Sequence, residues 1–194
     1  MDSKQLRGRP RQAELDRRIL EAALRLLSEG GYAHLSLEDV ATAAHTTRAT
    51  IYLRYVSKAA LVADAILYAR GTSGLPKLSG NLRQDLVTQL GHFRASMETP
   101  YSMAIIGSAL AEERATPELL ATLREHIVRS RREMLRTLLH EAQTRNELMP
   151  QAHIELAVSQ LLGSYYALAI AGDPIPPDWP ELLVDQVLSG LLPG

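Results

Sequence analysis

The chain has 194 residues, of which 46% are hydrophobic and 22% charged, a composition that excludes disordered and collagen-like classes and allows a buried core. It has no cysteine, which rules out disulfides, thiolate-bound zinc and a cysteine nucleophile. The net charge of -1 is unevenly spread: residues 1–58 hold 10 Lys+Arg against 7 Asp+Glu, and residues 59–194 hold 11 against 15, so a polyanionic partner is better placed at the N-terminal end.

Residues 1–12 carry Lys4, Arg7, Arg9 and Arg11 against Asp2 alone, a basic arm suited to phosphate contacts. They lack the apolar core of a signal peptide, so export is not expected. Across 11–29, Leu15, Ile19, Ala22, Ala23 and Leu26 recur at helical spacing, and Gly30-Gly31 ends the pattern. Ser36 opens a short helix over 37–44 through a capping box with Asp39. His45-Thr46 interrupts it, Thr47 caps a third helix reaching about Tyr55, and Ser57 caps a fourth from Lys58 to about Arg70. Glycine, serine and proline over 71–80 mark a loop and a module boundary.

Beyond it, Leu82, Leu86, Leu90, Phe93 and Met97 define one helix that Pro100 ends, and 103–113 makes a shorter one. Pro117 suits a first helical turn, and the helix it opens runs to about Arg145 with Leu120, Leu123, Ile127, Met134 and Leu138 on one face. Helices over 153–171 and 179–192 follow, separated by the prolines of 174–177. The stretch 156–172 is apolar but contains Ser159, Gln160 and Ser164 and is flanked by Glu155 and Asp173, so a covered core helix is expected rather than a membrane span. The expectation is an all-α protein.

The pair of short helices, 37–44 and 47–55, has the organisation of a helix-turn-helix. Val40, Ala41 and Ala44 allow close packing of the first, and Ile51 anchors the second. The outward face of the second then carries Thr47, Arg48, Thr50, Tyr52 and Arg54, donors to phosphate oxygens and base edges. Lys58, in the first turn of the next helix, adds a cation beside backbone amides. Solvated polar positions on an ordinary helical bundle would have the same pattern.

Residues 17–62 resemble the N-terminal domain of TetR-type transcriptional regulators. The shared marks are Ile19, Ala22, Ala23, Leu26, Gly31-Tyr32, Val40-Ala41, Ala44, Thr50, Ile51-Tyr52, Tyr55, Ser57-Lys58 and Leu61. The resemblance implies a DNA-binding domain over 13–71, preceded by the arm 1–12 and joined by the fourth helix to a helical ligand-binding and dimerisation domain over 72–194. It implies a cytoplasmic, ligand-responsive regulator, a repressor that binds a palindromic operator in double-stranded DNA as a homodimer. By the same resemblance Ser36, Thr47, Arg48, Thr50, Tyr52, Arg54 and Lys58 occupy positions that contact DNA. His45 stands where glycine is usual, which leaves room for an adjusted turn, and Leu53 and Arg54 stand where aromatic residues or histidine are frequent, so the base preference need not follow that of any relative. A helical small-molecule-binding or interaction protein without sequence-specific DNA binding is the competing reading.

For a mainly apolar effector, the candidate pocket residues are Phe93, Met97, Met103, Ile106, Leu110, Leu123, Ile127, Met134, Tyr165 and Tyr166, because methionine and tyrosine adapt to irregular, partly polar ligands. The same residues would equally fill a core. The helix to Ala171 is apolar nearly all round, so one face is assigned to the core and one to a partner copy. The dimer candidates are Gly163, Ala167, Leu183, Val187, Leu188 and Leu191. His92, His126, His140 and His153 have no second ligand at metal spacing, and no phosphate loop, nucleophile elbow or metal-carboxylate motif occurs. No metal, cofactor, membrane partner or catalytic set is expected.

Overall fold

A computed structural model describes residues 8–69, 76–99 and 101–192. Ten α-helices and one π-helical turn occupy them, with no strand among the described residues: α1 (Gly8–His34), α2 (Leu37–Ala43), α3 (Arg48–Tyr52), α4 (Lys58–Ala69), α5 (Leu82–Met97), α6 (Ser102–Ala111), α7 (Pro117–Leu123), the π-turn Arg124–Val128, α8 (Arg129–Thr144), α9 (Ile154–Ala171) and α10 (Trp179–Ser189). The helices cluster into two compact units.

The N-terminal unit groups α1 to α4 with residues 99–127, which carry α6 and α7. The expectation from sequence grouped those two helices with the C-terminal part. They join α1 and α4 because their apolar residues Ile105, Ala109, Leu119 and Leu120 enter the same core as Ile19, Ala23, Leu27, Val40, Ile51, Leu61 and Ile66. Helix α1 is already formed at Gly8, within the expected arm; Lys4 and Arg7 lie outside the described residues. Its regular part ends at Gly31, whose φ of 72° and ψ of 175° are non-helical and available to glycine at no steric cost.

In the C-terminal unit α5 packs against α8, α9 and α10, and α9 against α8 and α10. Leu86, Leu90, Leu139, Leu161 and Val184 are fully enclosed there. Asn81 caps α5 by accepting from the Gln84 amide at 2.9 Å. One turn in, the buried Asp85 carboxylate accepts from the Ser79 amide (2.6 Å) and hydroxyl (2.8 Å) and from the Gly80 amide (3.0 Å), bonds that offset the cost of burying a charge. Arg94 donates to the carbonyl of Pro177 at 2.9 Å and so fastens the proline-rich connection to α5. Arg83 forms a fork with Asp185, at 2.6 and 2.8 Å, between α5 and α10.

Helix α9 is long and apolar enough by composition to cross a membrane, with a mean hydropathy of 1.3 over 18 residues. One side of it, Ile154, Ala157, Val158, Leu161 and Tyr165, is core of the unit. The other side is open within the protomer: Leu156 and Ile170 are 58% and 80% exposed. The expectation that both sides are covered therefore holds for one side of the single chain.

Candidate nucleic-acid interface

The helix-turn-helix is built from local hydrogen bonds that the sequence encodes. The Ser36 hydroxyl accepts from the Asp39 amide at 3.1 Å and donates to its carboxylate at 2.5 Å, which starts α2. After α2 the Thr46 amide reaches back to the Ala41 carbonyl at 2.9 Å, with His45 at φ 51°, the left-handed conformation that closes a helix end. The sequence predicts this strain, since histidine replaces glycine there. Thr47 then accepts from the Thr50 amide at 3.2 Å and starts α3. Val40 and Ile51 are fully buried and lock the two helices together.

This packing leaves Thr47, Arg48 and Tyr52 exposed on one face, with Thr50 half-buried behind them. The Thr47 and Thr50 hydroxyls are 2.9 Å apart. The Arg48 guanidinium donates to the Tyr52 hydroxyl at 3.0 Å and lies 5.2 Å from the centre of its ring. It also pairs with Glu38 of α2. The bond with Tyr52, then the negative charge of Glu38, holds Arg48 above its usual pKa, so this cation is permanent.

The remaining candidates face the protein. Ser36 is half-buried as the cap of α2. Arg54, 24% exposed at its side chain, donates to Asp16 of α1 at 2.8 Å and to the Thr50 carbonyl at 3.4 Å. Lys58 donates to the Tyr32 carbonyl at 2.8 Å, and its ammonium lies 4.1 Å from the centre of that ring. Both cations brace α3 and α4 against α1. Three features at this face are absent from the sequence candidates: Glu38, which competes for Arg48, and the apolar Leu53 and Val56, 85% and 91% exposed. An exposed apolar side chain of this kind can contact a thymine methyl.

Of the candidate effector residues, Met103, Ile106, Leu110, Leu123 and Ile127 lie in the N-terminal unit and Phe93, Met97, Met134, Tyr165 and Tyr166 in the C-terminal unit. Leu110 is exposed, and Leu123 is buried in the N-terminal core. In the C-terminal unit Phe93 meets Tyr165 and Tyr166 edge-on, at 5.4 and 5.9 Å between ring centres. Trp179, which the sequence reading missed, joins them 5.5 Å from Tyr165, and its buried indole nitrogen has no partner. Arg131 lies over Phe93 at 5.1 Å and donates to the Ser96 hydroxyl at 2.6 Å. Burial pushes both tyrosine hydroxyls above their ordinary pKa, so they are neutral donors.

Among the dimer candidates, Gly163 and Ala167 are exposed on the open side of α9, and a side chain at Gly163 would meet nothing in the protomer. Leu183 and Leu191 are half-buried. Val187 and Leu188 are instead core residues of their own chain, because α10 turns them onto α5 and α9. Leu182 takes the exposed place on α10.

Comparison with known proteins agrees with this fold. Residues 19–65 match the family model described as "Bacterial regulatory proteins, tetR family", and residues 76–187 match "Tetracyclin repressor-like, C-terminal domain". The uncharacterized HTH-type transcriptional regulator YdeS of Bacillus subtilis is 31% identical over 190 residues, covering 95% of this chain and 93% of its own. Mb1581 of Mycobacterium bovis, with the same description, is 33% identical over 181 residues, 92% of this chain and 86% of that one. Among solved structures, the TetR family transcription regulator SCO0332 is 27% identical with a TM-score of 0.65, covering 93% of this chain and 100% of that one. The Flavonoid-responsive Regulator FrrA has the same fold, with a TM-score of 0.72 at 22% identity and coverage of 93% and 98%.

Proposed function

From the premise that this chain belongs to the tetR family of bacterial regulatory proteins, and so is a helix-turn-helix transcriptional regulator, we propose that it is a ligand-responsive repressor that binds a palindromic operator as a homodimer. The observation that carries the reading is the outward face of α3, where Thr47, Arg48 and Tyr52 stand exposed over a fully buried Ile51. Arg48 offers a planar donor fork for a base edge, and the hydroxyls of Thr47 and Tyr52 offer phosphate contacts. Arg54 and Lys58 hold the angle of α3 and α4 on α1, with Ser36 as the cap of α2. The basic residues of the arm 1–12 add sequence-independent affinity.

The partner copy is proposed to cover the open side of α9, around Gly163, Ala167, Leu156 and Ile170, which is apolar and narrow enough for close helix approach. The effector is proposed to be a mainly apolar small molecule held in the C-terminal unit by Phe93, Met97, Met134, Tyr165 and Tyr166. Its release of DNA requires differential affinity for two states of the protein, expressed through α4, which directly follows the recognition helix. The protein is proposed to act in the cytoplasm and to have no catalytic step.

Selection of bound fragments from random duplex by the purified full-length chain tests the reading. Two-fold symmetric sites, with half-sites about one helical turn or slightly more apart, are expected. Retention on heparin and duplex without any sequence enrichment would leave a helical interaction or small-molecule-binding protein instead.

A further inference from the structure

We propose that a cleft within the N-terminal unit, between α1, the end of α4 and the start of α6, binds an amphipathic aromatic carboxylate, with Arg18 as the contact for its charge. The cleft encloses about 740 Å³, within the range of small-molecule sites. Its lining includes the buried Ala22 and Leu24 of α1 and Leu67 of α4, which supply an apolar floor and wall. Tyr68 and Tyr101 add aromatic side chains to the lining.

Charge decides the head group. Among the described residues, the lining contains two cations, Arg18 and Arg25, and one acid, Glu21. Glu21 is already engaged, by Arg17 at 2.8 Å and by the Tyr68 hydroxyl at 3.0 Å. Glu14, one turn before Arg18, is held by Arg17 at 2.6 Å. Arg25 has only a 3.3 Å pairing with Glu29. The Arg18 Nε is buried and has no hydrogen-bond partner, a costly condition that marks Arg18 as the lining cation with unmet donor capacity. An unsatisfied guanidinium donor in a lining that also holds Ala22, Leu24, Tyr68 and Tyr101 fits a monoanion with a flat apolar body. It fits a neutral or cationic ligand less well. Such a ligand would bridge α1 and α4, and the site is separate from the effector residues proposed in the C-terminal unit.

The test uses the full chain without DNA, so its outcome is independent of operator recognition. Calorimetric titration with 2-naphthoate should give saturable binding, with 2-naphthamide at least tenfold weaker and Arg18→Met reducing naphthoate affinity at least tenfold. Hydrogen exchange should show naphthoate protecting α1 and α4. No binding up to millimolar concentrations, equal affinity for the amide, an unchanged affinity in a folded Arg18→Met protein, or protection confined to α5 and α8 to α10 would overturn the proposal. If Arg18→Met does not fold, the amide comparison and the protection map decide.

Discussion

Lys58 and Tyr32 are joined twice: the ammonium donates to the tyrosine carbonyl at 2.8 Å and stands 4.1 Å from the centre of its ring. The carbonyl belongs to the end of α1, so the first residue of α4 is fastened to the helix on which the whole domain packs. Lys58→Met should lower the unfolding free energy of the chain by about 1 to 2 kcal/mol, the worth of one charge-assisted hydrogen bond with a cation–π contact. Chemical denaturation measures it. Weaker binding to every duplex with an unchanged salt slope is expected from a bracing residue, whereas a slope smaller by about one would make Lys58 a phosphate contact.

Glu38 pairs with Arg48, and under the proposed function it would compete with DNA for that cation. Both side chains are solvent-exposed, so the pair is weak, and Glu38→Gln should raise affinity for operator and random duplex by about two- to fivefold at low salt. Arg48→Ala should lower operator affinity and change which bases selection returns. Fluorescence anisotropy over a salt series checks both; an unchanged affinity in Glu38→Gln would mean that Glu38 does not compete with the nucleic acid.

Acid should loosen the joint between α8 and α9. Hydrogen bonds first from Arg136 and then from Arg132 hold the Glu155 carboxylate at about 2, against an ordinary value of 4.5. A depressed pKa contributes stability that is complete above about 4.5 and disappears as pH falls towards about 2. In melts recorded between those limits, Glu155→Gln should show a flatter loss of Tm than the unchanged chain. Parallel acid limbs would remove Glu155 from the acid response.

Gly163 sits where an added side chain meets nothing within its own protomer. Gly163→Glu should therefore leave the far-ultraviolet spectrum and the fold intact while, in the proposed dimer, placing an unpaired charge against the partner copy, at a cost of several kcal/mol to association. Sedimentation is expected to show a dimer for the unchanged chain and a monomer for the variant. A dimer that survives the substitution would move the interface away from the open side of α9.

Much of the helix-turn-helix was legible because its determinants are local. Ser36 with Asp39 and Thr47 with Thr50 are each three positions apart, and a capping bond needs no information from elsewhere. What escaped was set by distant partners. Arg54 reads as an outward donor by helical phase, yet Asp16, 38 positions earlier, claims it. Trp179 joins Phe93 and Tyr165 only after α10 folds back on α5 and α9. The helix opened by Pro117 was expected to keep one period through Met134, but the π-turn Arg124–Val128 adds a residue to one turn, and the buried positions that follow are Leu135, Leu138, Leu139 and Ala142.

The left-handed turn at His45 also bears on how freely α3, the proposed recognition helix, can change. A non-glycine residue at φ 51° spends about 1 kcal/mol of folding stability on strain, close to the loss from a typical single substitution. His45→Gly should return part of it, measured as a higher denaturation midpoint with no change in DNA affinity. A lineage that acquired glycine at this turn would gain tolerance for roughly one further destabilising change on the face of α3, and with it a wider choice of operator sequences reachable by single mutations.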